Sequence, residues 1–177
     1  MHSGLYTIRF KFFHLLLVIL FSSTTLAQTK DSLKSKYTCV PVGYLMVLKQ
    51  GDNLFNYLEA IAKAENIPSA NFTGMGFAEV EFGYFDSKTK KYKSKKFRAG
   101  ELASMQGTLA WQNEKPSIHV HGLITNKKFN AYGGHILSAN VGTGTLEVLI
   151  ILHDKKLQRI KDEKLGANVL SLNACHE

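Results

Sequence analysis

The sequence predicts an α+β domain: a mostly antiparallel sheet with one main helix and short additional helices. Three observations carry this expectation. Runs rich in β-branched and aromatic residues recur along the chain between turn-forming residues. A single stretch, Leu54, Leu58 and Ile61 with Ala62, has its apolar residues at helical spacing. The length suits one core, because setting aside the first 27 of 177 residues leaves 150.

Residues 1–27 read as a cleavable signal peptide. Arg9 and Lys11 supply a positive start, Phe12 to Phe21 an apolar core broken by His14, and Ser22 to Ala27 a small, polar cleavage region. The apolar run is only about half the roughly 20 residues that a spanning helix needs. No Cys follows Ala27, which argues against lipid attachment there. The mature chain would begin at Gln28 and work in the periplasm or outside the cell, with no membrane span after cleavage. Of the formal charge of +8, Arg9 and Lys11 contribute two, so the mature chain carries +6. That charge suits anionic polymers or surfaces but names no partner. Cys39 and Cys175 stand near opposite ends of the mature chain. In an oxidising compartment they could pair, or they could remain two thiols.

Residues 28–38 are polar and read as a flexible lead-in, 39–173 as the domain and 174–177 as a tail. Val40 to Lys49 reads as a strand ended by Gly51. Asp52 is placed to cap the helix that follows, since a short carboxylate accepts orphan backbone N–H bonds. The helix should end near Asn66, before Pro68. Phe77 to Phe85 reads as a strand, Asp86 to Lys91 as a hairpin tip and Tyr92 to Arg98 as the return strand. Leu102 to Leu109 and Ser117 to Ile124 follow as strands. Tyr132-Gly133-Gly134 marks a tight backbone feature, Leu146 to Leu152 is an apolar strand, and the chain closes over Leu157 to Leu172 with a turn near Gly166.

Three histidines form the strongest chemical signal. His119 and His121 are two apart on an expected strand, so both point to one face. His135 follows Gly133-Gly134 fourteen residues later, enough for a loop and a return strand to bring it alongside. Three converging imidazoles suit a zinc ion with one position left open, a site that lowers the pKa of bound water to roughly 7. His-x-His on a strand also occurs without metal. His153 reads as a strand-end residue and His176 as part of the tail. Lys88, Lys90, Lys91, Lys93, Lys95, Lys96 and Arg98 crowd the hairpin. They suit sequence-indifferent phosphate contacts or simply a protected sheet edge.

The segments Ser117-Ile118-His119-Val120-His121-Gly122, Tyr132-Gly133-Gly134-His135-Ile136-Leu137 and Leu146-Glu147-Val148 together resemble the PPC domain ("plants and prokaryotes conserved"). Gly74-Met75-Gly76 and the run from Gly100 to Gly107 agree, and the resemblance spans about residues 42–172. It implies a compact fold on an antiparallel sheet, assembly as a homotrimer, and a metal, usually zinc, held at His119, His121 and His135. Glu101 and Glu147 lie in family-like segments and rank first as general acid or base, ahead of Glu79 and Glu81. The resemblance and the histidines together suggest an exported metal-binding protein, with a small molecule or anion at the metal as its partner. The alternative is a DNA- or polyanion-binding protein. The plant members carry an Arg-Gly-Arg-Pro hook for DNA, which this chain lacks.

Overall fold

The computed structural model describes residues 32–98 and 100–172. The expected signal peptide, Cys175 and His176 lie outside these residues. Residues 32–34 are helical and belong to a separate compact unit that ends at Ser35. The domain is the unit from Lys36 onward.

Its elements are β1 (Tyr37–Val40), β2 (Gly43–Lys49), α1 (Leu54–Ala64), β3 (Ser69–Asp86), β4 (Lys91–Phe97), β5 (Glu101–Gln112), β6 (Lys115–Thr125), β7 (Ala131–His153), β8 (Gln158–Asp162) and β9 (Ala167–Ser171). β1 takes in the last two residues of the expected lead-in. The domain is mostly β, which corrects the expected α+β balance: among its described residues one α-helix stands against nine strands. The shift arises because β3 and β7 run on for 18 and 23 residues. The glycine-bearing segment around Tyr132 and the apolar run at Leu146 belong to one strand. Register shifts at Gly76/Ala78 and Glu81/Phe82 let β3 and β7 bend while staying paired.

All pairings are antiparallel except a single parallel contact between Trp111 of β5 and Gln158 of β8. The ladder closes on itself, since β3 pairs β5, β5 pairs β6, β6 pairs β7, and β7 returns to β3. The core lies inside, with Phe72, Met105, Val120, Ile124, Ile136, Val148 and Ile150 all buried. At about 25 cal/mol per Å² of apolar surface, each fully buried Leu, Ile or Phe contributes about 1.5–3 kcal/mol.

α1 places Leu54, Leu58, Ile61 and Ala62 on its buried face. Its N-cap is Asn53, whose side chain accepts from the Asn56 N–H, and not the expected Asp52. Asp52 is otherwise engaged: its carboxylate accepts from Lys36 Nζ (2.5 Å) and from the Lys49 N–H (2.8 Å). The helix stops at Ala64. Asn66 takes φ +50° and the Ile67 N–H reaches back to Ala62 O, a left-handed C-terminal cap.

Candidate metal site

The site begins with a hairpin. β5 and β6 are joined by Asn113-Glu114, both at positive φ (49° and 58°), the pattern of a tight two-residue turn that matches strand twist. The resulting register sets Thr108 opposite His119 and Gln106 opposite His121. Val120 and Ile124 face the core while His119 and His121 point to the other face, where neighbouring groups leave the His119 ring only partly desolvated.

A second loop leads to the third histidine. Asn126 Oδ1 accepts from the N–H groups of Lys128 (2.9 Å) and Asn130 (3.1 Å), and Phe129 takes φ +61°. The return strand then pairs with β6 so that His135 stands directly opposite His121. Opposed residues on an antiparallel pair share a face, so all three imidazoles meet. Their ring centroids form a near-equilateral triangle with sides of 5.0, 5.1 and 5.2 Å. One ligand nitrogen from each lies within 4.8 Å of the others. Gly134, at φ +151°, presents His135 through a backbone conformation open to glycine.

Tyr92, from β4, stacks on His135 with centroids 5.1 Å apart and planes 20° from parallel. The stack needs Gly83, because a Cβ there would come within 2.7 Å of the Tyr92 ring. Arg159 of β8, only 6% exposed, donates from Nη2 to Thr108 Oγ1, and Thr108 is the residue opposite His119. Burial, then its histidine neighbours, then Arg159 push the His135 pKa down to about 4. His119 is lowered by burial first, with Arg159 and His121 adding to it. These two rings are therefore neutral near pH 7, the form that ligates a metal. An all-imidazole donor set with these spacings fits zinc. An open hollow of about 370 Å³ adjoins His121, lined by Thr73, Ser104, Gln106, Leu123 and Gly134 among others.

The expected carboxylates stand elsewhere. Glu101 and Glu147 share a different hollow with Met75 and Phe77. Glu147 is opposite Met75 on β3, eight residues from Gly83, which pairs with His135. At about 3.3 Å per residue that is about 26 Å along the strand. Glu101 lies five residues, about 17 Å on the same scale, from Gln106. Within one chain neither reaches the histidines. Glu81 pairs with Lys96 (3.5 Å), and Glu79 faces a hollow of about 470 Å³ with Arg98 and Asn140. That hollow is larger but holds none of the histidines, so the candidate chemistry belongs to the imidazole face. His153 ends β7 and meets Ser69 Oγ through Nδ1 (3.0 Å).

Sequence reasoning gives neither Tyr92 nor Arg159 a role at the histidines. Arg159 carries no local signal, because Leu157 and Ile160 fall on opposite faces of the strand and Lys161, two residues on, shares the Arg159 face.

The family model for the Plants and Prokaryotes Conserved (PCC) domain matches residues 41–153. Among solved structures, a candidate DNA-binding protein of Ralstonia eutropha JMP134 is 46% identical, with TM-score 0.77, covering 80% of this chain and 99% of its own. A candidate DNA-binding protein of Bacteroides thetaiotaomicron is 26% identical (TM-score 0.72; 76% and 95% covered). A metal-containing protein of Archaeoglobus fulgidus is also 26% identical (TM-score 0.65; 72% and 91% covered). No curated protein matches the chain.

Proposed function

The chain belongs to the Plants and Prokaryotes Conserved domain family, and from that premise we propose that it is an exported protein that holds one zinc ion through His119, His121 and His135. One observation carries the reading: three imidazoles from two adjacent strands offer ligand nitrogens within 4.8 Å of one another. The Archaeoglobus neighbour, described as metal-containing, supports it. Three protein ligands leave a position for water or a small ligand. When bound, the ion supplies Lewis acidity at that position. The chain's own residues do the rest. Tyr92 holds the His135 ring in place, and partial burial keeps His135 neutral and ready to ligate, with His119 shifted in the same direction. The adjoining hollow beside His121 gives a small ligand room.

Elemental analysis of untagged mature protein tests the site. Wild type should carry one zinc per chain, and His121→Ala should lose most of it while remaining folded. Metal-free wild type after zinc exposure, or equal loading of the variant, removes the assignment. The export reading rests on residues 1–27, and protein recovered outside the cytoplasm should begin at or near Gln28. The homotrimer comes from the family resemblance, and sedimentation of the mature protein decides it.

The second reading is nucleic-acid binding. It is favoured by the names of the Ralstonia and Bacteroides neighbours and by β4, whose residues Lys91 to Lys96 are all exposed. Binding of duplex DNA that is sequence-specific and survives physiological salt would put this reading first.

A further inference from the structure

Arg159 is a charge out of place. It is 6% exposed, and among the described residues no carboxylate forms an ion pair with it. Its Nε is buried without a hydrogen-bond partner. Burying an unpaired cation is costly, so such groups are normally neutralised by something. Its place in the fold is specific. The guanidinium is anchored on Thr108 Oγ1, and Thr108 is the residue directly opposite His119. Cross-strand neighbours of this kind have Cβ atoms about 4.5–5.5 Å apart, so the guanidinium stands beside the histidine face.

The donor set sharpens the problem. The three ligands are imidazoles, and among the described residues no carboxylate joins them. Neutral imidazoles around a divalent ion leave the ion's charge whole, and Arg159 adds another. Such a site lacks negative charge, and the open hollow borders it on the His121 side, while Arg159 stands on the His119 side. Gln106, opposite His121 and lining the hollow, adds an amide.

We propose that Arg159 is an anion-binding residue and that the ligand of this site is a small molecule bearing an oxyanion, a carboxylate or phosphate group, shared between the metal and the guanidinium. The inference rests on the metal reading above. A planar guanidinium suits an oxyanion because its N–H groups lie in one plane and can meet two oxygens. Oxyanion binding would supply the missing counter-charge for both cations at once.

The test uses the full mature chain loaded with zinc and titrated calorimetrically with acetate and, separately, inorganic phosphate. Wild type should bind at least one of them, and the tighter of the two identifies the group. Arg159→Gln should keep stoichiometric zinc but lose at least tenfold in oxyanion affinity, while the affinity for neutral imidazole stays the same. With no oxyanion present, the same variant should bind zinc several-fold more tightly, because a neighbouring positive charge is gone. A purely structural arginine would not produce that gain. If Arg159→Gln fails to fold, Arg159→Lys decides, with at least a threefold loss of oxyanion affinity expected. Zinc-loaded variants that bind oxyanions as well as wild type overturn this inference alone. A wild type that takes up no zinc overturns the metal reading, and this one with it.

Discussion

His121 and His135 are directly paired across two adjacent antiparallel strands, and the Tyr92 ring lies stacked on the second of them. The pairing fixes where the Cβ atoms are, while the stack fixes the plane of one ring. A ligand whose ring is already oriented loses less rotamer freedom on binding metal. Tyr92→Ala should therefore weaken zinc binding about two- to tenfold, in line with about 0.5–1.5 kcal/mol for an aromatic pair. Tyr92→Phe should bind like wild type. Competition with a chromogenic chelator reads both, and equal affinities for all three proteins would show that the stack is incidental.

Acid should act on the metal-free protein in a defined window. His135 has its pKa lowered to about 4, mainly by burial, against an ordinary value near 6.5. Between these values the unfolded chain binds a proton that the folded chain does not, so stability rises with pH there. The contribution is fully present above 6.5 and is lost as pH falls toward 4. His119, lowered in the same direction, adds to the loss. Urea midpoints of metal-free protein should fall across this window, and His135→Gln should flatten the profile. A wild-type profile flat from pH 7 to 4.5 would contradict the burial of this ring.

Much of the site is legible in the amino-acid sequence. His119 and His121 need only the two-residue pleat to share a face, and a return strand is the simplest route for His135. Long-range pairing is less legible. Tyr92 stacks on His135 from β4, and Arg159 of β8 bonds Thr108 opposite His119, through registers that no local pattern states. Strand continuity is equally hidden. Gly134 at φ +151° looks like a break, yet β7 passes through it and runs on to His153. Glu101 and Glu147 fall in motif-like segments, but strand length carries them far from the three histidines. The choice of Asn53 over Asp52 as helix cap turns on Lys36, which lies 16 residues before Asp52 in the chain.

The basic hairpin should prove tolerant, with one exception. Lys91, Lys95 and Lys96 are exposed, and the Lys96–Glu81 pair is of the surface kind that contributes about 0–1 kcal/mol. Lys91→Gln, Lys95→Gln and Lys96→Gln together should leave the urea midpoint close to wild type. Lys90→Gln should cost more, because Lys90 Nζ donates to the carbonyls of Lys164 (2.7 Å) and Leu165 (2.8 Å). Any duplex binding measured by anisotropy should be weak, fall steeply with salt and ignore sequence. An affinity unmoved by the triple substitution would place nucleic-acid contacts elsewhere.

Gly134 separates two accounts of why a glycine precedes His135. A Cβ built there has only Gly83 O nearby, at 3.8 Å, so a side chain has room. The obstacle is the backbone, since φ +151° is a conformation that L residues rarely adopt. Strain of this kind costs about 1–3 kcal/mol and depends little on side-chain size. Gly134→Ala and Gly134→Val should therefore destabilise by similar amounts, and both should weaken zinc binding as the backbone relaxes and swings His135 out of the triangle. Gly83 gives the opposite pattern. Its Cβ would meet Tyr92 Cδ1 at 2.7 Å and Leu137 Cδ1 at 2.8 Å, so Gly83→Val should be markedly worse than Gly83→Ala. Urea unfolding and chelator competition on all four variants check both patterns. If Gly134→Val is far worse than Gly134→Ala, crowding rather than backbone strain explains this glycine, and the space beside His135 is smaller than it stands here.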